Sequence, residues 1–449
     1  MDVTRKFRTE LRAVTRRARG LIELIAGRTT LPYSTGILGN RNFVLLWSGN
    51  AVSLVGCYCV SISYPLIVLA MTGSSIMAGW VSFSFTLATL LLQLPAGKIA
   101  DSFNRWRILI ACQAVGLFAI SLAALIAVVR PPGVALMWCF TAFAEGSALV
   151  LFQICEVPVI CNVVRAEDRT TAYSFVVAEQ PIAIMVGRAF GAGIAEIARW
   201  LPFLVDGVSS LFCLATLFAA TPTDQTAPLR STNHQEDGKT RMIDGVRMVW
   251  GHPFLRTTTL TAGLSSMIVQ MAIVLTLVHL HASGEAGWKA GVVLGANGVG
   301  GVIGTIIAPH LIRLFDTTTV YRGALWTWAI LLCSFAFTFS PRVLTICWCG
   351  VGFVGTIFGV ALTTARMQVL SDGILGRAIG AMATWNSGAA ALGPLMGGYL
   401  ASWLGTERTG IILPIAMFGT ALVSLHSAAV YQPHFSTSTS TAFTQEDPV

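Results

Sequence analysis

The sequence predicts an all-α membrane protein whose twelve transmembrane helices form two pseudo-symmetric six-helix bundles. Three observations predict it. Charged residues make up only 11% of the 449 and hydrophobic ones 54%, against roughly a quarter charged in soluble domains. The charges leave long gaps. None of the 56 residues between Arg41 and Lys98 is Asp, Glu, Lys or Arg, and the same holds for Ile108–Val129, Thr257–Gly284, Ala290–Ile312, Val343–Ala365 and Ala378–Thr406. Finally, one long polar stretch, 221–253, splits the apolar runs into two sets of six.

A bilayer core about 30 Å thick takes ~20 helical residues to cross. Backbone amides in lipid must be satisfied within the segment, and these runs lack the two-residue alternation of a barrel strand, so helices are the solution. The spans are expected at 43–70, 76–97, 107–129, 134–160, 172–197, 200–220, 254–280, 289–312, 320–340, 343–366, 376–402 and 409–430. Turn signals separate them at Thr72-Gly73-Ser74-Ser75, Pro131-Pro132-Gly133 and Ser340-Pro341. The domains follow: a basic segment 1–42, a bundle 43–220, a central loop 221–253, a second bundle 254–430 and a Ser/Thr-rich tail 431–449 expected to be disordered.

Basic residues set the orientation. Residues 1–41 hold nine Lys/Arg, and with both termini cytoplasmic the inner loops hold fourteen. The outer loops then hold five: Arg130, Arg199, Lys289, Arg342 and Arg408. A multi-pass protein with cytoplasmic termini is therefore expected. Residues 1–41 lack the apolar core and cleavage site of a signal peptide, and Arg5–Arg19 is read as a flexible leader that enforces topology, in preference to an interfacial helix. The net charge of +8 follows the inner loops and calls for no nucleic acid.

The ten cysteines lie in apolar runs, and the pairs Cys57/Cys59 and Cys347/Cys349 fall on different helix faces. No metal or cofactor is expected from them. No phosphate-cradling Gly-x-x-x-x-Gly-Lys-Ser/Thr loop occurs, which argues against ATP drive, and no catalytic grouping stands out.

Charges inside spans cost ~2.5–3.5 kcal/mol at a helix centre and default to functional hypotheses. The candidates for proton or substrate coupling are Glu145, Glu179 and Arg188, with Glu156, Glu196 and Asp206 nearer helix ends. At 1.5 Å per residue Glu145 is about 16 Å and Arg188 about 14 Å deep, so the two are expected to face each other or share a polar cavity. Glu179, nine residues from Arg188, turns to the opposite face. A buried carboxylate without a cation can carry a proton near neutral pH; a permanent structural ion pair is the alternative. Asn50, Tyr58, Tyr64, Gln270, Trp385 and Asn386 are candidates for an apolar, aromatic substrate cavity suited to amphipathic ligands, although each could equally serve packing. His279, His281 and His310 are expected at the interface.

The most specific local pattern is Pro95-Ala-Gly-Lys-Ile-Ala-Asp-Ser-Phe-Asn-Arg-Trp-Arg107, read as the loop after helix 2. Gly97 would let a helix end approach a neighbour, Asp101 would accept from exposed amides at a helix N-terminus, Asn104 would suit a left-handed turn, and Arg105 and Arg107 would pair with acids on the inner face. A weak internal repeat relates Gly187-Arg-Ala-Phe-Gly-Ala-Gly193 to Gly393-Pro-Leu-Met-Gly-Gly-Tyr399. Gly187, Gly191, Gly393, Pro394, Gly397 and Gly398 are expected to form a close-packed seal.

With these residues the chain resembles the major facilitator superfamily, whose signature Gly-x-x-x-Asp-x-x-Gly-Arg-Arg/Lys maps onto Gly97, Asp101, Asn104, Arg105 and Trp106/Arg107. Asn40–Gly56 and Asp244–Arg256 resemble its drug:proton antiporter branch, which includes macrolide and siderophore exporters. The Gly-rich stretches resemble that branch's antiporter motif, Gly-Pro-x-x-Gly-Gly. The resemblance implies a monomeric transporter of the bacterial cell membrane, moving a drug-like or secondary-metabolite molecule outward in exchange for protons by alternating access. Two positions depart from the pattern: Arg188 replaces a proline, and Cys57 stands where many relatives carry an acid. An importer of a small metabolite and a non-transporting sensor on the same scaffold are the alternatives.

Overall fold

The computed structural model describes residues 37–129, 135–221, 246–338, 340–370 and 372–426, apart from the side chains of Leu94, Lys98, Asp101 and residues 372–377. The basic leader, most of the central loop and the Ser/Thr-rich tail lie outside the described residues.

Each helix begins and ends where local chemistry allows. Helix α1 (Arg41–Thr72) is capped by the Asn40 side chain, which accepts from the amides of Asn42 and Phe43. It stops at Gly73, whose φ of 65° is the left-handed C-cap that glycine takes without strain. Ser74 caps α2 (Ser75–Ser102) by accepting from Met77 N. Then follow α3 (Arg105–Val129), α4 (Ala135–Val163), α5 (Arg169–Ile197) and α6 (Leu201–Ala219). The second half holds α7 (Pro253–Ala282), α8 (Gly287–Leu314), α9 (Thr317–Leu332), with a short turn Ser334–Phe337, and α10 (Pro341–Val369).

The last helical run, Asp372–His426, is 55 residues long. At 1.5 Å per residue it would reach about 82 Å, far beyond a bilayer core of about 30 Å. Its backbone breaks at Gly405 (φ 79°, ψ 168°), giving α11 (372–404) and α12 (406–426). The eleven runs long and apolar enough to cross a membrane among the described residues therefore make twelve crossings.

The two halves repeat one packing scheme. In the first, α1 packs on α5 and α6, α2 on α4, and α3 on α4 and α6. In the second, α7 packs on the α11–α12 run, α8 on α10, and α9 on α10 and α12. Glycines make the matching crossings possible. A Cβ on Gly187 would stand 2.6 Å from the Val55 carbonyl, and Gly191 is pressed against Cys59. In the second half a Cβ on Gly397 would stand 2.9 Å from the Met271 carbonyl, and Gly393 is pressed against Met267.

Helices α2 and α11, and α5 and α8, join the halves. Gly398 meets the Ser75 carbonyl, Gly79 meets that of Pro394, and the Ser75 hydroxyl donates to Gly398 O at 3.0 Å. On the other side Gly291, Gly295 and Gly298 of α8 lie against the backbone of α5 from Met185 to Ala189. Glu196, at the end of α5, accepts from the amides of Gly287 and Trp288, 3.0 and 3.3 Å, at the first turn of α8. Its carboxylate satisfies donors that the helix cannot use and complements the helix dipole. These contacts close the halves at the end opposite the one carrying Arg41, Arg105, Arg107, Arg165 and Arg169.

The pattern around Gly97 differs from expectation. Residues Pro95 to Ser102 continue α2, leaving only Phe103 and Asn104 between helices. Charge marked the stretch as a loop, but a helix that has left the lipid continues in water at no such cost. Gly97 faces open space, so it permits no close approach. Asn104 serves as a cap, accepting from Trp106 N at 3.0 Å, and Arg105 Nε donates to Ala100 O at the end of α2. The Asp101 side chain lies outside the described residues.

A central cavity and a set of buried carboxylates

One face of α1 carries Asn50, Ser53, Leu54 and Cys57, the i, i+3, i+4, i+7 spacing that aligns side chains on a helix. That face meets α3, α4 and α6 and lines a cavity of about 20 Å³ together with Gln113, Glu145 and Ser210. A space of about 10–15 Å³ admits one water. Glu145 is 5% exposed, and among the described residues its Oε2 has no hydrogen-bond partner. Its electrostatic neighbours are Asp206 and the Cys57 thiol.

Asp206, in α6, is 1% exposed; Ser209 donates to its Oδ1 at 3.1 Å, while Oδ2 has no partner. Glycine is needed opposite it, because a Cβ on Gly56 would strike Ser209 and the Asp206 carboxylate. Further along α1, Asn50 Nδ2 donates to Glu179 Oε2 at 2.8 Å, leaving Oε1 unpartnered. Glu156 is buried nearby with Oε1 unpartnered. Four carboxylates thus sit in one half with no ion pair to any of them among the described residues, where ion pairs occur at Arg165–Glu167 and Lys289–Glu285.

The next residue of α1, Tyr58, points elsewhere. It lines a cavity of about 380 Å³ between the halves, to which α1, α2, α4, α5, α7 and α11 contribute. Gln93, Gln153, Gln180 and Gln270 supply polar groups, and Arg188 is the charged residue among the lining. Gln180 Nε2 donates to the Tyr58 hydroxyl at 3.1 Å. Ser387 donates to Gln93 Oε1 at 2.6 Å, joining α2 to α11 beside the cavity.

Several expectations need correction. Glu145 and Arg188 do not meet: Glu145 lies in the small inner cavity and Arg188 in the central one, with Leu149 lining both as the wall between. Equal depth does not by itself make a pairing: Arg188 lines the cavity toward the second half, and Glu145 lines the one toward α1, α3 and α6. Tyr64 is 1% exposed and packs edge-on against Trp138 and Phe203, so it belongs to the core. Asn50 serves the carboxylates, not the central cavity. Trp385 and Asn386 face α7 and Trp250: Trp385 stacks edge-on with Trp250 and abuts Gly263, and Asn386 accepts from Ser266 at 2.8 Å. Tyr58 and Gln270 do line the cavity.

Asp206, expected near a helix end, is buried beside α1, and Ser209 one turn on, its partner, is the signal in the sequence that marks it. The glycines of α8, spaced four and three apart, carried the same small-residue signal as α5 and α11. A larger hollow of about 670 Å³ lies at the closed end, lined by Glu196, Arg199, Trp200 and His281 among others. Leu277 lines both hollows, so this one is a mouth outside the seal.

The sequence profile of the Major Facilitator Superfamily matches residues 46–322, more than half of the chain. The multidrug efflux pump Tap of Mycolicibacterium fortuitum is 24% identical over 403 residues, covering 84% of this chain and 92% of that protein. Among solved structures, a mutant of the nucleoside transporter NupG superposes with a TM-score of 0.71 at 11% identity, covering 86% of this chain and 99% of that one. A bacterial homologue of the iron transporter ferroportin, in an inward-facing state, superposes with a TM-score of 0.67 at 15% identity, covering 87% and 99%. With the profile matched over the whole first half and into the second, and with the duplicated six-helix scheme and a cavity at their junction, the chain belongs to the major facilitator superfamily of membrane transporters.

Proposed function

We propose that this transporter exports an organic small molecule by alternating access, in exchange for protons carried on the buried carboxylates of its first half. The observation that carries this reading is Glu145: a buried carboxylate oxygen without a partner, beside a water-sized space, one side chain from the central cavity. A carboxylate held among apolar side chains without a cation is uncharged only while it keeps a proton. Rocking of the halves about the α2–α11 and α5–α8 contacts would expose it alternately to each side. Similarity to a multidrug efflux pump favours outward transport. The charge distribution favours a cell membrane setting with the basic end in the cytoplasm, and the closed end then faces outward.

Inverted membrane vesicles with an acidic interior test the reading. Proton-driven export loads a substrate into them, import drains it, and a non-transporting sensor does neither. Accumulation that ignores the imposed pH gradient contradicts proton exchange.

A further inference from the structure

The central cavity holds one formal charge and nothing to neutralise it. Arg188 lines it, half-buried, and among the described residues neither an ion pair nor a hydrogen bond engages its guanidinium. Its electrostatic neighbour is the Tyr58 hydroxyl, itself held by Gln180. Each acid that could have paired with it is committed elsewhere. Glu145 lies behind Leu149, Asp206 between α1 and α6, and Glu179 on the opposite face of α5 with Asn50. Glu196, two turns along the same helix, caps α8.

An arginine stays protonated in proteins and offers five N–H donors in a planar fork. Burying that charge unpaired is costly, and the fork fits a carboxylate or similar oxyanion through two parallel bonds. The surrounding amides of Gln93, Gln180 and Gln270 can donate to further oxygens, and Phe85 and Ile273 supply apolar wall.

We infer that the central cavity selects an organic anion, with an apolar or aromatic body and an oxyanion head seated on Arg188. This rests on reading that cavity as the substrate site. It also supplies a link to motion. The Arg188 carbonyl lies where a Cβ on Gly291 would approach to 2.8 Å, so the ligand-holding residue stands on the α5–α8 contact that must slide when the halves rock.

The test uses three probes that share a ring system and differ in charge: naphthoate, naphthamide and naphthylmethylammonium. Their affinities for the purified full-length protein in detergent are read from ligand-induced thermal shifts. Naphthoate is expected to bind about tenfold or more tighter than naphthamide, the gap that one charge-assisted hydrogen bond brings, with naphthylmethylammonium weakest. Arg188→Gln should bring naphthoate affinity down to that of naphthamide, and Arg188→Lys should keep part of the preference. An ammonium affinity equal to or above that of naphthoate, no naphthoate binding, or an unchanged naphthoate affinity in Arg188→Gln overturns the inference. Should Arg188→Gln fail to fold, the wild-type order and Arg188→Lys decide. Because binding in detergent needs neither a gradient nor transport, an anion site in a protein that moves nothing would sink the export reading alone.

Discussion

Cys57 and Tyr58 are neighbours in α1 and line different compartments: the thiol faces Glu145 in the inner cavity, and the phenol faces Arg188 in the central one. A 100° turn between successive helical residues makes the separation. One helix thereby borders both compartments, the one holding the α4 acid Glu145 and the one holding the α5 cation Arg188, with Leu149 between them. A shift of α1 is felt in both places.

The bond from Asn50 to Glu179 ties α1 to α5 inside the first half. Asn50→Ala leaves the second Glu179 oxygen without a partner, and stability should fall by about 1–3 kcal/mol, the cost of an unsatisfied buried group. Glu179→Gln added to it should recover part of the loss, so the double variant costs less than the two singles together. Thermal melts of the four proteins in detergent check this; strict additivity contradicts the bond's role.

Close helix crossings make a graded set of glycine predictions. Gly191→Ala places a methyl against the Cys59 backbone and should destabilise by about 1–3 kcal/mol, as overpacking does. Gly97→Ala, with open space around it inside α2, should be neutral or stabilising by about 0.5–1 kcal/mol. Melting temperatures in the reverse order would contradict the packing described.

Removing the Glu196 side chain unpins the first turn of α8. Glu196→Ala should cost about 1 kcal/mol, a typical cap, and it should act on the contact between halves more than on either half. Labelling of a cysteine placed near Leu277 from the closed end should become faster in that variant on a cysteine-free background. Unchanged labelling would show that the seal rests on the glycine contacts alone.

The fold was legible because lipid imposes one rule on every crossing: a run of about twenty predominantly apolar residues. The twelve apolar runs, several of them free of charge throughout, marked the crossings, and the 206-residue offset between Gly187 and Gly393 marked equivalent ones. Helix ends in water were less legible, as at Pro95–Ser102, since charge no longer opposes the helix there. Site partners were least legible. Residue counts along the helices predict one level for Glu145 and Arg188, but a pairing also requires both rotations, and those are set by contacts such as Gly56 with Asp206 and Gly187 with Val55. Among the described residues Arg188 pairs with no acid, and Asp206 is the acid beside Glu145.

The most direct test compares wild type with Glu145→Gln in reconstituted vesicles, measuring substrate exchange without a gradient and accumulation under an imposed pH gradient. If the carboxylate carries the proton, the variant folds with undiminished melting temperature, still exchanges substrate across the membrane and fails to accumulate it. Gradient-driven accumulation at the wild-type level in Glu145→Gln would contradict the account.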